Sequence, residues 1–392
     1  MDVFRGTTNI RRTTGRPGIP DMGERAYAYA KACGIIGKSF IGKGIRRLDN
    51  LQSLSELDRT VFPAASRDLP EKELLPDLEK RITGRAVNSI ISIIDCFPNP
   101  PLFLVLLIRG YEYSDLLAAL MASLEGEKNA PAHTDIGRFQ TVRFDKWPDV
   151  RAMIESTEFE FLLDKRGVLN RELGDISLQT IMDRHYYSAL WNAVFSLPKN
   201  DREIAVKILA EEISIKNSTW ALRLRTYYRM PVEEVKLHLV YVPVKKKLNH
   251  KQKSGAPNMA APNLAAPNLA RVYLTAAGRA PANLADDAVR CLEYPLDSFE
   301  PWSSWRWKSL LNPDEGGAGP WLANPRHFQN AASRYLFHLA KHNFHLNPFS
   351  LDTIFCFVKM KQFEEDVLTS NAEGLGMGIS GRDIASLLGV EA

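Results

Sequence analysis

At 392 residues, 45% hydrophobic and 24% charged, the chain has the make-up of an ordinary folded protein with room for two or three compact domains. A formal charge of +4 is too small for a general nucleic-acid binder, which concentrates Lys and Arg on one face. The longest apolar run, residues 102–108, is far short of the about 20 residues that cross a bilayer.

The four cysteines, Cys33, Cys96, Cys291 and Cys356, lie far apart with no CxxC pair, which argues against a zinc site. Their apolar neighbours predict reduced, buried thiols and a cytoplasmic setting. The start of the chain carries Arg5, Arg11, Arg12 and Arg16 with no apolar segment behind them, so no cleavable leader is expected. Residues 1–22, polar and rich in Arg, Thr, Gly and Pro, read as a disordered extension.

Residues 25–31 then read as helix. They run into Ala32-Cys33-Gly34-Ile35-Ile36-Gly37-Lys38-Ser39, a relaxed phosphate-loop pattern in which Lys38 would pair with phosphate and Ser39 would bind magnesium. Residues 90–95, ending in Asp95, resemble a strand that delivers a metal-binding Asp. The context opposes an NTPase: the loop follows a helical pattern, and no alternation of strand and helix surrounds it. Gly34 and Gly37 are instead expected to let a neighbouring helix come close.

Three long amphipathic segments follow. The first covers residues 101–124, with Leu104, Val105, Ile108, Tyr111, Leu116, Ala119, Leu120 and Leu124 on one face and Pro100 and Pro101 at its start. A further helix over 178–197 precedes the second; its apolar stripe includes Leu178, Met182, Tyr186, Leu190 and Val194, and Asp175 and Ser177 can cap it. The second long segment covers 202–225 and is ended by Pro231; the third covers 351–373. Each carries polar residues at a comparable place: Glu112 and Asp115, Glu212, Lys216 and Asn217, Lys361, Glu365 and Asp366. A polar group at a helix crossing costs stability unless paired, but it fixes register. These residues are read as devices that orient three similar bundles. The copies lie roughly a hundred residues or more apart, so each is a small domain rather than a solenoid repeat.

Between the second and third segments, residues 237–244 are β-like but isolated. Residues 256–270 repeat APNMA-APNLA-APNLA beside Lys245, Lys246, Lys247, Lys251 and Lys253. Proline every five residues forbids regular helix or central strand, so an exposed low-complexity loop is expected; the sharper alternative is a basic arm on anionic lipid headgroups. Trp302, Trp305 and Trp307 read as a packing knot. His185 has no evident Asp, Ser or Cys partner, and His338 and His342, spaced i,i+4, lack an obvious third metal ligand. His327 and His345 complete a loose group without metal-site spacing. No catalytic, cofactor-binding or metal-binding residue is expected.

The ordered blocks resemble one family. They are Arg25-Ala26-Tyr27-Ala28-Tyr29-Ala30-Lys31-Ala32-Cys33-Gly34; Leu178-Gln179-Thr180-Ile181-Met182-Asp183-Arg184-His185-Tyr186-Tyr187 with Glu212-Ile213-Ser214-Ile215-Lys216-Asn217; and Asn347-Pro348-Phe349 through Phe363-Glu364-Glu365-Asp366 to Glu373-Gly374. Together they resemble the central-stalk connector of the V/A-type rotary ATPases, found in both the prokaryotic and the eukaryotic complexes. The resemblance runs over most of residues 23–386, with a gap at the APN insert. Asp115 and Asp366 stand where Asn is the commoner choice, and Ser218-Thr219-Trp220 replaces a more aliphatic run.

The resemblance implies an all-α funnel of three pseudo-equivalent helical domains about a pseudo-threefold axis. The corresponding divisions are 23–134, 135–235 and 285–392, with 236–284 as the insert. It further implies a non-catalytic component on the cytoplasmic face of the membrane. That component would receive the rotor shaft (D/F type) and sit on the proteolipid ring, passing torque for H+ or Na+ transport or for ATP synthesis. An unrelated helical adaptor would share the bundles without the ordered blocks.

Overall fold

The computed structural model describes residues 20–163, 175–242, 283–314 and 321–389. Every regular element among them is helical, with short 3-10 turns and no β-strand. The expectations for the N-terminal extension and the APN insert lie outside the described residues.

The elements, in chain order, are α1 (Met22–Ile36), α2 (Leu54–Val61), α3 (Glu71–Ile94), α4 (Leu102–Glu125), α5 (Val150–Ile154), α6 (Asp175–Ser196), α7 (Glu203–Tyr228), α8 (Val232–Leu237), α9 (Asp286–Cys291), α10 (Pro325–Asn343), α11 (Leu351–Gly376) and α12 (Gly381–Leu388). The three amphipathic segments of the sequence are α4, α7 and α11. Their ends have local causes. Asp21 caps α1 in a reciprocal capping box with Glu24. Gly126, at φ +78, closes α4 in the left-handed conformation that a Cβ would oppose. Pro231, read as the end of the central helix, instead opens α8, because α7 already stops where Arg229 turns left-handed at φ 51. Residues 90–95 are not a strand: they are the last turn of α3 and its cap, Asp95.

Three consecutive hairpins, α3–α4, α6–α7 and α10–α11, make the body of the molecule. The second helix of each packs on the first helix of the next: α4 on α6, α7 on α10, and α11 back on α3. The pairings therefore close into a cycle, and the α11–α3 pairing that closes it is the most extensive of all. One large apolar core runs through α1, α2, α3, α7 and α11 with adjoining parts of α4 and α6. A second cluster joins the C-terminal half of α7 to α9, α10 and the tryptophans. A third fills the space between the end of α4, the start of α6 and the intervening turns.

In each long helix one buried polar side chain grips a segment of backbone lying outside the hairpins. Glu112 of α4 accepts from the amides of Thr141 and of Val142, the latter at 2.6 Å. Asn217 of α7 accepts from the Val240 amide at 2.7 Å and donates to the Val240 carbonyl at 2.9 Å. Glu364 of α11 accepts from the Phe40 amide at 2.8 Å and pairs with Lys361. A buried acceptor left unpaired costs about 1–3 kcal/mol, so each clamp fixes where its segment can lie. The isolated β-like residues are such a segment: the described part, after α8, is held by Asn217 and Asn283 rather than by a neighbouring strand.

The tryptophan-rich stretch is the expected packing knot. Trp302, Trp305 and Trp307 are buried, and each indole N–H donates: to the Pro295 carbonyl, the Asp287 carbonyl and the Ser214 hydroxyl. The expectation for Gly34 and Gly37 does not hold. A Cβ at Gly34 would meet nothing within 4 Å, and at Gly37 only the backbone of its own helix. Close approach occurs elsewhere. A Cβ at Gly110 would lie 2.9 Å from the Tyr186 hydroxyl, at Gly374 2.6 Å from Ile384, and at Gly381 2.1 Å from the Leu48 carbonyl oxygen.

Candidate functional site

Where the hairpins face one another, polar side chains join helices from all three. Tyr111 of α4 donates to Glu365 of α11 at 2.6 Å. Lys359 of α11 pairs with Glu212 of α7 at 2.7 Å, and Glu212 also accepts from Tyr187 of α6 at 3.3 Å. Lys216 of α7 pairs with Asp183 of α6 at 3.1 Å. Tyr186 of α6 sits against Gly110 of α4, which leaves room for its hydroxyl by having no side chain. A cleft of about 420 Å³ opens beside this network, bounded by Thr83 of α3, Gln329 and Arg334 of α10, and Glu365, Asp366 and Glu373 of α11.

The electrostatics of the centre are those of carboxylates crowded away from water. Burial, helped by the adjacent Glu365, pushes the Asp366 carboxyl up to about 7, and Lys359 only partly offsets this. The Asp366 side chain is nonetheless exposed, along one wall of the cleft. Burial also raises Glu365 against the hydrogen bonds from Tyr111 and Thr83, and raises Asp183 against the pull of Lys216. The phenols of Tyr111 and Tyr187 are driven well above their ordinary range by burial and nearby carboxylates, so they stay protonated donors. The arrangement offers acceptors and negative charge to a cationic surface. It holds no nucleophile with an aligned base, and among the described residues no three His, Cys, Asp or Glu side chains are grouped to hold a metal.

The phosphate-loop residues are placed where phosphate is disfavoured. Residues 32–36 are the last turn of α1, and Gly37 caps it. That end of a helix presents carbonyls and the negative end of the dipole, whereas phosphate is held by amides at the opposite end. Lys38 points to solvent, and the Ser39 hydroxyl is already donated to the Ile35 carbonyl at 3.1 Å. Asp95 pairs with Arg138 at 2.8 Å.

His185 has partners the sequence did not show: its Nδ1 lies 2.7 Å from the Tyr113 hydroxyl, and its ring stacks on Phe161. Burial lowers its pKa, favouring neutral imidazole in a packing role. His338 and His342 are exposed on α10 with no third ligand grouped beside them among the described residues. The four cysteines are free thiols; Cys291 and Cys356 are buried, while Cys33 and Cys96 are half-buried.

Of the polar residues singled out in the three segments, Lys216, Glu212 and Glu365 belong to the central network, Asp366 flanks it, and Glu112 and Asn217 are backbone clamps. Asp115 accepts from the Thr134 amide at 2.7 Å. Tyr111, Tyr186, Tyr187, Lys359 and Glu364 acquire their roles only from the fold. Tyr111 and Tyr186 lie on the apolar stripes, and their hydroxyls alone could have flagged them.

Comparison with known proteins gives two likenesses. The model of the ATP synthase (C/AC39) subunit family matches residues 52–253, just over half of the chain. An uncharacterized protein of Treponema pallidum (strain Nichols) is 24% identical over 356 residues, covering 90% of this chain and 92% of that protein.

Proposed function

The chain belongs to the ATP synthase (C/AC39) subunit family, and from that membership we propose that it is the non-catalytic connector between the rotor shaft of a V/A-type motor and its membrane ring. On this reading its three divisions, 23–134, 135–235 and 285–392, form a funnel about a pseudo-threefold axis. The upper opening takes the end of a D/F-type shaft. The lower face rests on the proteolipid ring from the cytoplasmic side, and torque passes through the body as H+ or Na+ crosses the ring or ATP is made.

The observation that carries the reading is the cyclic pairing of α4 with α6, α7 with α10, and α11 with α3 around a shared polar centre. A cycle resists shear better than an open stack, because no helix can slide without disturbing two neighbours. Close-packed helices transmit strain rather than absorb it. The acidic, tyrosine-bearing centre suits a basic helical tip, and partly electrostatic contacts allow a grip that can be released. No helix among the described residues is long and apolar enough to cross a membrane, which is compatible with attachment through the ring.

The test is binding of the purified chain to the isolated shaft and to detergent-solubilised proteolipid ring from the same cells. A salt-sensitive complex with the shaft is expected, weakened when Glu365 and Asp366 are replaced by Gln and Asn, together with no ATP turnover by the chain alone. Nucleotide hydrolysis by the purified chain, or failure to associate with either partner, would overturn the proposal.

A further inference from the structure

A second groove, of about 360 Å³, lies between the turn that follows α1 and the C-terminal half of α10. Its lining brings together Lys43, Arg46, Arg334, Lys341 and His338, and no carboxylate is among the lining residues. None of the four Lys and Arg side chains pairs with a carboxylate among the described residues, whose salt bridges all lie elsewhere. Four unneutralised cations held in one concavity create a positive field that they would not keep without use, since like charges brought together oppose one another.

The groove is built, and its cations are not merely neighbours in sequence. Arg334 donates to the carbonyl of Leu388 at the end of α12. The next residue, Gly389, stands at φ +61, and a Cβ there would lie 2.7 Å from the guanidinium. Gly42, at φ +53, lies beside Lys341, where a Cβ would stand at ordinary contact distance, 3.4 Å, from the ammonium. The left-handed Gly389 thus lets the Arg334 guanidinium lie against the backbone that ends α12. The floor is apolar, with Phe337 stacked on Phe363 at 4.3 Å between centroids and the Lys341 ammonium 5.8 Å from the Phe337 ring. His338 and His342 have the spacing of a metal pair. With Lys341 and Arg334 beside it, however, His338 faces cations that repel a metal ion and lower its pKa, after burial, the larger cause.

We propose that this groove binds a phosphorylated anion, its oxygens taken by Lys43, Arg46, Arg334 and Lys341 and its less polar part lying on Phe337. Phosphate suits a groove lined by several Lys and Arg donors, because each bond is charge-assisted and Arg can offer two donors at once. The phosphate can belong to a free compound or to a lipid headgroup, and the two sources are separable by experiment.

The full chain is titrated with inorganic pyrophosphate by calorimetry, and separately floated with vesicles of phosphatidylcholine alone or phosphatidylcholine with phosphatidic acid. The double variant Lys43→Gln/Lys341→Gln and the control Lys72→Gln, on the exposed first turn of α3, are run beside it. Both groove lysines are exposed, so the double variant keeps its fold, which circular dichroism checks. Saturable pyrophosphate binding assigns a free phosphate compound, and capture by the phosphatidic acid vesicles alone assigns a headgroup. In either case affinity is expected to fall roughly tenfold or more in the double variant and to hold in the control. The His338 ring should titrate at higher pH in the bound form, read by NMR, because the anion offsets the neighbouring cations. Binding of neither probe, or binding that the double variant leaves unchanged, would overturn the proposal.

Discussion

Asp366 shows what a single carboxyl does beside the central network. In an unfolded chain it ionises near about 3.9, and burial beside Glu365 moves it to about 7. The folded form therefore keeps the proton that the unfolded form loses. The stability this group contributes is fully present below about pH 4 and is lost as pH rises through about 7. Burial raises Glu365 in the same direction. The expected outcome is that the melting temperature falls between about pH 4 and about pH 7, and that Asp366→Asn flattens the fall and is the more stable form at the alkaline end. Thermal melts of both proteins across that range test it. At Asn217 the expectation is different in kind. Asn217→Ala removes a bidentate clamp on Val240 and should lower unfolding free energy by about 2–3 kcal/mol in urea titration. The sequence did point to Asn217, Glu112, Glu365 and Asp366, because charged and amide residues inside apolar stripes are conspicuous. It could not tell a clamp from a network member. The deciding partners, Val142, Val240, Phe40 and Tyr111, are brought in by chain reversal, and for Tyr111 and Glu365 the separation is 254 residues.

At the level of helices, the three long segments were legible almost to their ends, since a stripe of period three to four sustained over six turns or more has no competing reading. The tryptophan knot was legible for a related reason: indoles that large have few places to go except inside. Glycine was where the reading failed. Gly34 and Gly37 sit in a suggestive spacing but face open space or their own helix, whereas the crowded glycines are Gly110, Gly374 and Gly381. Nothing local distinguishes them, because what crowds a glycine is the neighbour, and the neighbour is a product of the fold. Gly381 gives the firmest test. A methyl group there would collide with the Leu48 carbonyl, which is backbone and cannot swing aside, in a place where the Gly381 amide also donates to the Leu51 carbonyl at 2.9 Å. Gly381→Ala should cost about 1–3 kcal/mol and loosen α12 from the 48–51 segment. Faster amide exchange confined to α12 and that segment would show it, and unchanged exchange there would count against this account.

For the molecule as a whole, the cycle is fastened at one end by Arg25. From α1 it pairs in bidentate fashion with Asp201, in the turn between α6 and α7, at 2.6 and 2.9 Å, and donates to the Phe349 carbonyl, before α11, at 3.2 Å. The first turn of α7, just beyond it, is gripped from α11 by Asp352, which accepts from the amides of Ile204 and Ala205 at 3.1 and 2.8 Å. Arg25→Ala strands the buried Asp201 carboxylate, and the expected loss is about 3–5 kcal/mol. Adding Asp201→Ala should recover part of it, giving a coupling that a double-mutant cycle reads directly. All-helical character followed from the sequence on its own, but the order in which hairpins close on one another did not, because each amphipathic face accepts any apolar partner. Only the family likeness pointed to a ring.

That closure bears on how the protein is made. The face of α3 that α11 covers leaves the ribosome long before its cover does, since residues 95–350 lie between the two helices. Until α11 emerges, the nascent chain therefore carries an oily surface that lacks its main cover, a stretch of its life in which chaperones have the most to do.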